Sequence, residues 1–223
     1  MKALEMKPLE IRVTYDFICP WCWIAYTNLK EAILRAGLEV APVIKYVPYE
    51  INPTMPAEGC NRRAYRSAKF GTWEKSEVRD VQSMIAGKRV GLNFNYSRIE
   101  VTPNTRLAHR LLFFIEMGRD VSQTEQLYRA IFRAYFAEGR DIGKAEVLAE
   151  IAANVGISQK SVTFFLATDA LDREVEALEL RTIAAGVQAV PTIQIGGRRI
   201  GGAPQRIALV HVMREAAASP GLG

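Results

Sequence analysis

Two cysteines three residues apart are the residues of this chain best suited to chemistry. Cys19 and Cys22 enclose Pro20 and Trp21, directly after a β-branched and aromatic segment. A cysteine at a helix N-terminus faces unpaired amides and the positive end of the helix dipole, which favour the thiolate. Cys22 would lie on the same side of such a helix, within disulfide reach but deeper. The spacing therefore predicts that Cys19 attacks and that Cys22 resolves the mixed disulfide.

The two residues between the cysteines are expected to influence the redox potential of the pair and to contact a substrate. Pro20 presets the first helical turn without needing an amide partner. Trp21 cannot donate a hydrogen bond to the thiolate as a charged histidine at the same position could. We therefore predict a less oxidising couple than that of a Cys-Pro-His-Cys enzyme.

The elements that must position the pair begin with a predicted β-α-β unit. Residues 11–17 alternate in polarity and predict a strand that leads into Cys19. Residues 20–36 carry apolar side chains at helical spacing, and Gly37 follows where a C-cap is expected. Residues 40–49 predict a second strand, and the length of the connection suits a parallel pair.

The other end of the chain predicts the rest of the same sheet. Residues 192–195 and 198–200 predict a hairpin across two glycines, and a closing helix is expected at about 204–217. Between these two parts, residues 53–185 predict helical segments with hardly a strand. The predicted order is therefore β-α-β, a helical insertion and then β-β-α.

Two local patterns stand out within the insertion. The run Ser-Gln-Thr-Glu at residues 122–125 has the form of a capping box and predicts a helix start. Arg62, Arg63, Arg66 and Lys69 predict a basic helical face, which we interpret first as solvated and second as a site for an anionic ligand.

Composition and charge exclude several classes of protein. The chain has 223 residues, of which 49% are hydrophobic, so it can bury a sizeable core and is not expected to be disordered. Its 29 basic and 24 acidic residues give a net charge of +5 that is spread along the sequence, which argues against a nucleic-acid partner. The apolar runs are too short to span a membrane. Residues 1–8 contain both acidic and basic side chains, where a signal peptide would need an unbroken apolar stretch. A cytoplasmic location is therefore expected.

A cysteine pair of this spacing also occurs in metal sites. Zinc normally requires four ligands, and the remaining candidates, Cys60, His109 and His211, have no recognisable paired spacing. Three cysteines do not make a disulfide framework in a chain of this length. We therefore predict a redox-active disulfide with neither a metal nor a bound cofactor. Cys60 is interpreted as a buried or incidental cysteine, with a third redox thiol as the alternative.

Several segments resemble the DsbA family of thioredoxin-like proteins, and within it the FrnE-like branch. In chain order they are Asp16-Phe17-Ile18-Cys19-Pro20-Trp21-Cys22, Pro103-Asn104-Thr105, Ala108-His109-Arg110-Leu111, Ala134-Tyr135-Phe136, Gly186-Val187, Val190-Pro191-Thr192 and Gly202-Ala203. The resemblance implies an α/β protein with a thioredoxin fold and a large inserted all-α domain. Residues 1–52 and 186–223 would form the thioredoxin-like domain, and residues 53–185 the inserted helical domain.

The same resemblance implies which residues surround the cysteines. Pro191 would be a cis-proline beside them, which leaves the backbone of Val190 free to pair with an extended substrate. An ordinary trans proline at a strand start is the alternative. Apart from the resemblance, Asn104 and His109 are interpreted first as capping and core residues. The alternatives are a polar contact from Asn104 to a bound thiol compound and a projection of His109 toward the cysteines.

One departure from the family pattern concerns proton transfer. Thioredoxin-like enzymes often keep a buried acid six residues before the first cysteine, where this chain has Val13. Asp16 is the acid nearest to Cys19 in sequence. It could assist deprotonation of Cys22, or it could be an exposed or hydrogen-bonded residue at the end of a strand.

The leading functional interpretation is a thiol-disulfide oxidoreductase or isomerase that exchanges disulfides with protein, peptide or small thiols, with glutathione as a candidate co-substrate. Glutathione-dependent enzymes of the same superfamily, 2-hydroxychromene-2-carboxylate isomerase and the kappa-class transferases, usually lack the second cysteine. Cys22 therefore favours redox exchange over a role in aromatic metabolism. A non-catalytic peptide-binding chaperone is the remaining alternative. We expect a monomer or homodimer with neither nucleic acid nor membrane as a partner.

Overall fold

The computed structural model describes residues 7–218, and a mixed four-stranded sheet lies at its centre. The strands are β1 (Glu10–Tyr15), β2 (Val43–Pro48), β3 (Cys60–Asn61), β4 (Val101–Thr102), β5 (Thr192–Ile195) and β6 (Arg198–Gly201). The helices are α1 (Pro20–Ala36), α2 (Arg62–Phe70), α3 (Trp73–Lys88), α4 (Arg106–Met117), α5 (Val121–Phe136), α6 (Ala145–Ala153), α7 (Gln159–Leu166), α8 (Asp172–Ala184) and α9 (Arg206–Ala218).

The four-stranded sheet has the order β2-β1-β5-β6. Strand β1 pairs with β2 in parallel, with Ile11 opposite Ile44, and with β5 in antiparallel, with Ile11 opposite Ile195. Strands β5 and β6 form the predicted hairpin. Ile11 and Val13, which alternate with polar residues, are fully buried. The predicted α/β thioredoxin fold with a helical insertion is confirmed.

Helix α1 carries the two cysteines in its first turn. Cys19 is the N-cap in an extended conformation, with φ of −94° and ψ of 108°, and Pro20 is the first helical residue. Gly37 ends the helix in the left-handed conformation at φ of 63°, as its position in the sequence predicted. Buried residues such as Leu29 face the core, and the helix packs against α9. This packing fixes the first turn relative to the sheet.

Helices α2 to α8 lie between β2 and β5, within residues 53–185. The buried apolar side chains of α4 to α7 belong to one hydrophobic cluster with those of the sheet. The division into two domains stays a prediction. The insertion also contains the short pair β3 and β4, in which Cys60 lies opposite Thr102. We predicted hardly a strand in this region, and two-residue strands are too short to give a periodic signal.

The predicted capping box at residues 122–125 is wrong. Helix α5 begins at Val121 and its N-cap is Asp120, two residues before Ser122. The Asp120 carboxylate accepts a hydrogen bond from the Gln123 N–H at 2.9 Å. An aspartate caps as well as a serine does, so the local pattern offered two equivalent starts.

The solvated basic face predicted for α2 is wrong for Arg62 and Arg66. Arg62 is buried, and its Nη2 lies 2.6 Å from Oδ2 of Asp80. Nη2 of Arg66 lies 2.7 Å from Oδ1 of the same aspartate. Arg63 and Lys69 are exposed, as predicted. Asp80 stands on the next helix, so helical spacing within α2 could not reveal it.

Aromatic side chains join the sheet to the insertion next to the cysteine loop. Tyr15 and Phe17 contact Tyr128 and Phe132 of α5, with ring centroids 4.8 Å apart for the two tyrosines and 5.0 Å apart for the two phenylalanines. All four rings are fully buried or nearly so. Tilted and edge-on aromatic contacts of this kind are favourable. They hold the loop that carries Cys19 against the insertion.

The last helix, α9, begins at Arg206, two residues after its predicted start. Within residues 7–218, no helix combines the length and the apolar character needed to cross a membrane.

Candidate active site

The loop between β1 and α1 turns sharply and presents Cys19 at its end. The Cys19 N–H donates to the backbone oxygen of Asp16 at 3.0 Å, and the Cys22 N–H donates to the backbone oxygen of Cys19 at 3.0 Å. As the N-cap, Cys19 stands where the first amides of α1 have no helical partner. Cys19 is 5% exposed, whereas Cys22 has no exposed surface. The asymmetry supports an outer attacking thiol and an inner resolving thiol.

The buried position of Cys22 has an electrostatic consequence. Burial raises the pKa of the Cys22 thiol well above its ordinary value, and the neighbouring Cys19 thiol raises it further. The Asp16 backbone lowers this pKa, and the charge of the Asp16 carboxylate raises it. Both cysteines are free thiols in this structure. Because a thiol reacts as the thiolate, resolution by Cys22 requires a nearby proton acceptor.

The Val190–Pro191 peptide bond is cis, as the resemblance implies, and the trans alternative is wrong. The Cys19 Sγ donates to the Val190 carbonyl oxygen at 3.7 Å. The Pro191 carbonyl accepts from the Gly202 N–H at 2.9 Å, which anchors the turn to the hairpin. In the described part of the chain, the Val190 N–H has no hydrogen-bond acceptor. A backbone donor suited to an extended peptide therefore lies beside the attacking sulfur.

The tryptophans that flank Cys22 differ in their surroundings. Trp21 is exposed, whereas Trp23 is buried and lies nearly parallel to Phe136 at a centroid distance of 6.1 Å. Trp21 is therefore available at the surface beside the cysteines, and Trp23 belongs to the core. Substrate contacts by Pro20 and Trp21 stay predictions.

Asn104 uses its side chain within the protein. Its Nδ2 donates to the Met55 carbonyl at 2.7 Å, and its Oδ1 accepts from the Arg106 N–H at 2.9 Å, at the start of α4. These bonds correspond to the capping alternative. A contact between Asn104 and a bound thiol compound stays a prediction.

Asp16 is fully buried, so the alternative of an exposed aspartate is wrong. Its Oδ2 accepts from the Ile51 N–H at 2.7 Å, and its Oδ1 accepts from the Ile18 N–H at 3.4 Å. The carboxylate thus ties the loop before Cys19 to the segment that follows β2. Val13, where the family often has an acid, is fully buried in β1.

His109 reaches the cysteine loop from the insertion. Its Nε2 lies 3.5 Å from Oδ1 of Asp16, and the side chain is fully buried. Among residues 7–218, neither ring nitrogen has a hydrogen-bond partner. The ring packs against Tyr15 and Phe17, at centroid distances of 5.1 and 5.3 Å. His109 therefore brings two unsatisfied nitrogens into the core beside a carboxylate.

Three charged residues that the sequence analysis missed extend this site. Oε2 of Glu50 lies 2.7 Å from Nη2 of Arg106, and the Glu179 carboxylate accepts a hydrogen bond from the Glu50 N–H. Burial raises the pKa of Glu50 to about 7, although the charges of His109 and Arg106 lower it. We call Asp16, Glu50, Arg106, His109 and Glu179 the carboxylate cluster.

One signal in the sequence could have revealed Glu50. Asp16 directly follows β1, and Glu50 is the second residue after β2. These strands are parallel, so their carboxyl ends meet at the same edge of the sheet. No comparable signal exists for Arg106 and Glu179, which come from helices far along the chain.

Cys60 is a half-buried free thiol in β3, outside the loop that carries Cys19 and Cys22. The described residues contain no group of three or more histidine, cysteine, aspartate or glutamate side chains arranged to hold a metal ion.

Comparisons with known proteins identify the family. A model of the DSBA-like thioredoxin domain matches residues 10–213. An uncharacterized protein of Bacillus subtilis, YwbO, is 27% identical over 196 residues, which are 87% of this chain and 90% of that protein. A probable DsbA oxidoreductase from Streptomyces coelicolor superposes with a TM-score of 0.85 at 21% identity, over 96% of this chain and 92% of the other.

A second solved structure is the cytosolic disulfide reductase DsbM from Pseudomonas aeruginosa with GSH. It superposes with a TM-score of 0.61 at 17% identity, over 94% of this chain and 96% of the other. Both structural matches show a shared fold. The family model spans the cysteine loop, the insertion and the hairpin, and the chain belongs to the family of DSBA-like thioredoxin domains.

Proposed function

We propose that this protein is a thiol-disulfide oxidoreductase or isomerase that works through Cys19 and Cys22. Membership of the DsbA-like family supports this general activity. The observation that carries the proposal is the position of the Cys19 Sγ, 3.7 Å from the Val190 carbonyl at the cis bond to Pro191. A peptide strand bound along Val190 would bring its sulfur to Cys19, and the buried Cys22 lies behind on the same helix.

The proposed reaction has two exchange steps. The Cys19 thiolate attacks a substrate disulfide, a bond forms between its Sγ and one substrate sulfur, and the other substrate sulfur leaves as a thiolate. Cys22 then loses its proton and attacks the Cys19 Sγ, which forms the Cys19–Cys22 disulfide and releases the second substrate thiolate. The oxidised pair runs the same steps in reverse. The direction depends on the redox poise of the compartment, which we predict to be the cytoplasm, and on a partner that resets the pair.

Proteins and peptides are the proposed substrates, because a backbone donor at Val190 and the exposed Trp21 flank the attacking sulfur. Glutathione is a proposed small-thiol partner, since the similarly folded DsbM was solved with GSH. A glutathione-dependent isomerase or transferase is less well supported. Any thiol bound covalently at Cys19 would be displaced by Cys22.

The proposal is tested by reduction of insulin with the wild-type protein and three variants. Cys19→Ser, Cys22→Ser and the double variant are expected to lose turnover, because each removes a sulfur that the exchange requires. Cys60→Ser is the matched control and is expected to retain turnover, since that thiol lies in β3 rather than in the active-site loop.

The chaperone alternative makes the opposite prediction for the double variant. A protein that only binds peptides would suppress aggregation equally well without either sulfur and would show no insulin reduction. Full activity of Cys19→Ser, Cys22→Ser in refolding of a disulfide-containing protein would overturn the proposed function.

A further inference from the structure

Helix α3 turns its polar side inward and its apolar side outward, the reverse of the usual arrangement of a surface helix. The residues that it buries are polar or small and recur at helical spacing: Ser76, Asp80, Ser83 and Gly87. Four apolar side chains of the same helix are exposed, by 58, 51, 42 and 52% respectively: Val78, Val81, Met84 and Ile85. We call these four residues the α3 stripe.

The contacts of the buried face fix the rotation of α3 about its axis. Asp80 holds two guanidinium groups of α2, at 2.6 and 2.7 Å, and the Ser83 hydroxyl hydrogen-bonds the Tyr96 hydroxyl. Gly87 packs so closely on Phe94 that a Cβ at this position would lie 2.2 Å from the ring. The helix therefore cannot turn to bury the α3 stripe without breaking these contacts.

An exposed stripe of this kind fits the surface of another helix. Apolar side chains that are exposed singly are normal, but soluble monomers rarely expose a large contiguous group of them. Val78, Val81 and Ile85 follow one another at intervals of three and four residues. This is the spacing at which the side chains of two long helices interlock along a common seam.

The charged residues at the two ends of the stripe indicate which helix it fits. Glu74 and Lys88 are exposed, and they lie seven residues before and seven residues after Val81. In an antiparallel pair of identical helices that cross at Val81, Glu74 of each copy would face Lys88 of the other. Two contacts between opposite charges would then enclose the apolar side chains. The stripe is thus complementary to a second copy of itself.

We propose that α3 forms the interface of a homodimer, in which a second copy of this chain packs its own α3 antiparallel across the α3 stripe. Val81 lies on the two-fold axis and meets the partner's Val81, and Met84 lies opposite the partner's Val78. Neither Cys19 nor Cys22 belongs to α3, so this inference does not rest on the exchange reaction proposed above.

A binding site for a segment of a substrate protein is the competing explanation for the stripe. A substrate requires no two-fold symmetry, so this explanation does not account for opposite charges at equal distances from Val81. The two explanations differ in the mass of the free protein. A substrate site leaves the protein monomeric, whereas the proposed interface doubles its mass.

Sedimentation equilibrium of the whole protein under reducing conditions measures the association. The wild type and the Cys19→Ser, Cys22→Ser variant are expected to dimerise with the same dissociation constant, because no disulfide joins the copies. Val81→Asp is expected to raise this constant at least about a hundredfold, because it places two carboxylates together on the symmetry axis. Circular dichroism verifies that each variant is folded.

A matched control is available on another helix. Leu34 of α1 is 82% exposed, so Leu34→Asp introduces the same charge at an exposed apolar position outside the stripe. This variant is expected to keep the dissociation constant of the wild type.

The antiparallel direction is tested by exchanging the charges at the ends of the stripe. Glu74→Lys and Lys88→Glu each bring like charges together twice in the dimer, and each is expected to weaken association about tenfold at low salt. The variant that carries both substitutions restores opposite charges and should dimerise as the wild type does. In a parallel pair, like charges would already face each other, and the single substitutions would not weaken it.

Cysteine cross-linking tests the contact on the symmetry axis independently. In a background that lacks Cys19, Cys22 and Cys60, oxidation of Val81→Cys is expected to link two chains covalently, and oxidation of Leu34→Cys is not. A wild type that stays monomeric up to its solubility limit would overturn the proposal. A dimer that survives in folded Val81→Asp, or one that Val81→Cys does not cross-link, would overturn it equally.

Discussion

The carboxylate cluster and a second group of buried charges differ in how far their hydrogen bonds are satisfied. This second group, the arginine cluster, consists of Arg62, Arg66 and Asp80, and each oxygen of Asp80 binds one guanidinium, at 2.6 and 2.7 Å. In the carboxylate cluster, both nitrogens of His109 and Nη1 of Arg106 have no hydrogen-bond partner within residues 7–218.

Further contacts complete the arginine cluster. Nε of Arg66 donates to the Ser76 hydroxyl at 2.6 Å, and the Arg62 guanidinium lies 5.1 Å from the Tyr96 ring centroid. These contacts tie α2 to α3 and to the segment that follows α3. The arginine cluster therefore holds these segments together, and it lies within the insertion rather than beside Cys19 and Cys22.

The difference shows which buried charges hold the fold and which are suited to chemistry. A paired, hydrogen-bonded group stabilises its surroundings only while it is complete, because removal of one partner leaves a charge without its counter-charge. Unsatisfied titratable groups cost stability, and they are characteristic of functional sites. We therefore expect substitutions in the two clusters to affect different properties of the protein.

The largest expected effect on stability is in the arginine cluster. Asp80→Ala leaves the buried Arg62 and the half-buried Arg66 without a counter-charge, and we expect the free energy of unfolding to fall by about 3–5 kcal/mol. The measurement is urea unfolding followed by circular dichroism. Insulin reduction per folded molecule should be unchanged, because the cluster does not contact the cysteines.

The control for this prediction stands on the same helix. Glu77 is exposed on α3, one turn before Asp80, and Glu77→Ala is expected to change stability by less than about 0.5 kcal/mol. Equal destabilisation by the two substitutions would contradict the structural role assigned to the arginine cluster.

A smaller, pH-dependent effect is expected in the carboxylate cluster. Burial raises the pKa of Glu50 from its ordinary value of 4.5 to about 7. The folded protein therefore keeps a proton that the unfolded chain loses between these two values, and this carboxyl lowers the free energy of unfolding as the pH rises through that window. Relative to Glu50→Gln, the wild type should lose up to about 3 kcal/mol of stability across it.

Urea unfolding at acidic and mildly alkaline pH measures this difference. Glu146→Gln, which changes an exposed residue of α6, is the matched control and should follow the wild type across the pH range. A constant difference between Glu50→Gln and wild type at all pH values would show that no proton is held at Glu50.

The parts of this protein that local chemistry determines could be predicted from the sequence. Cys19 and Cys22 could be predicted as the reactive pair, because their three-residue spacing and the start of a helix lie in one short segment. The hairpin at residues 192–201 was predictable because alternation and two glycines lie within ten residues. Val190-Pro191 required the family resemblance, since the local sequence does not distinguish cis from trans.

The rest depended on contacts between distant segments. Arg62 has the sequence surroundings of a surface residue, and only the packing of α3 on α2 brings Asp80 to it. His109 lies 93 residues from Asp16, and its role could be framed only as an alternative between core and site. Glu179 joins the site through the packing of α8 against β2, which no pattern within either element reveals.

Covalent trapping of a substrate tests the account most directly. Cys22→Ser and Cys19→Ser are incubated separately with a disulfide-linked peptide dimer, and the adducts are located by intact mass and peptide mapping. We predict a stable peptide adduct on Cys19 in Cys22→Ser and none on Cys22 in Cys19→Ser, because Cys22 has no exposed surface. An adduct that forms equally fast on Cys22, or no adduct on Cys19, would contradict the assignment of Cys19 as the attacking thiol.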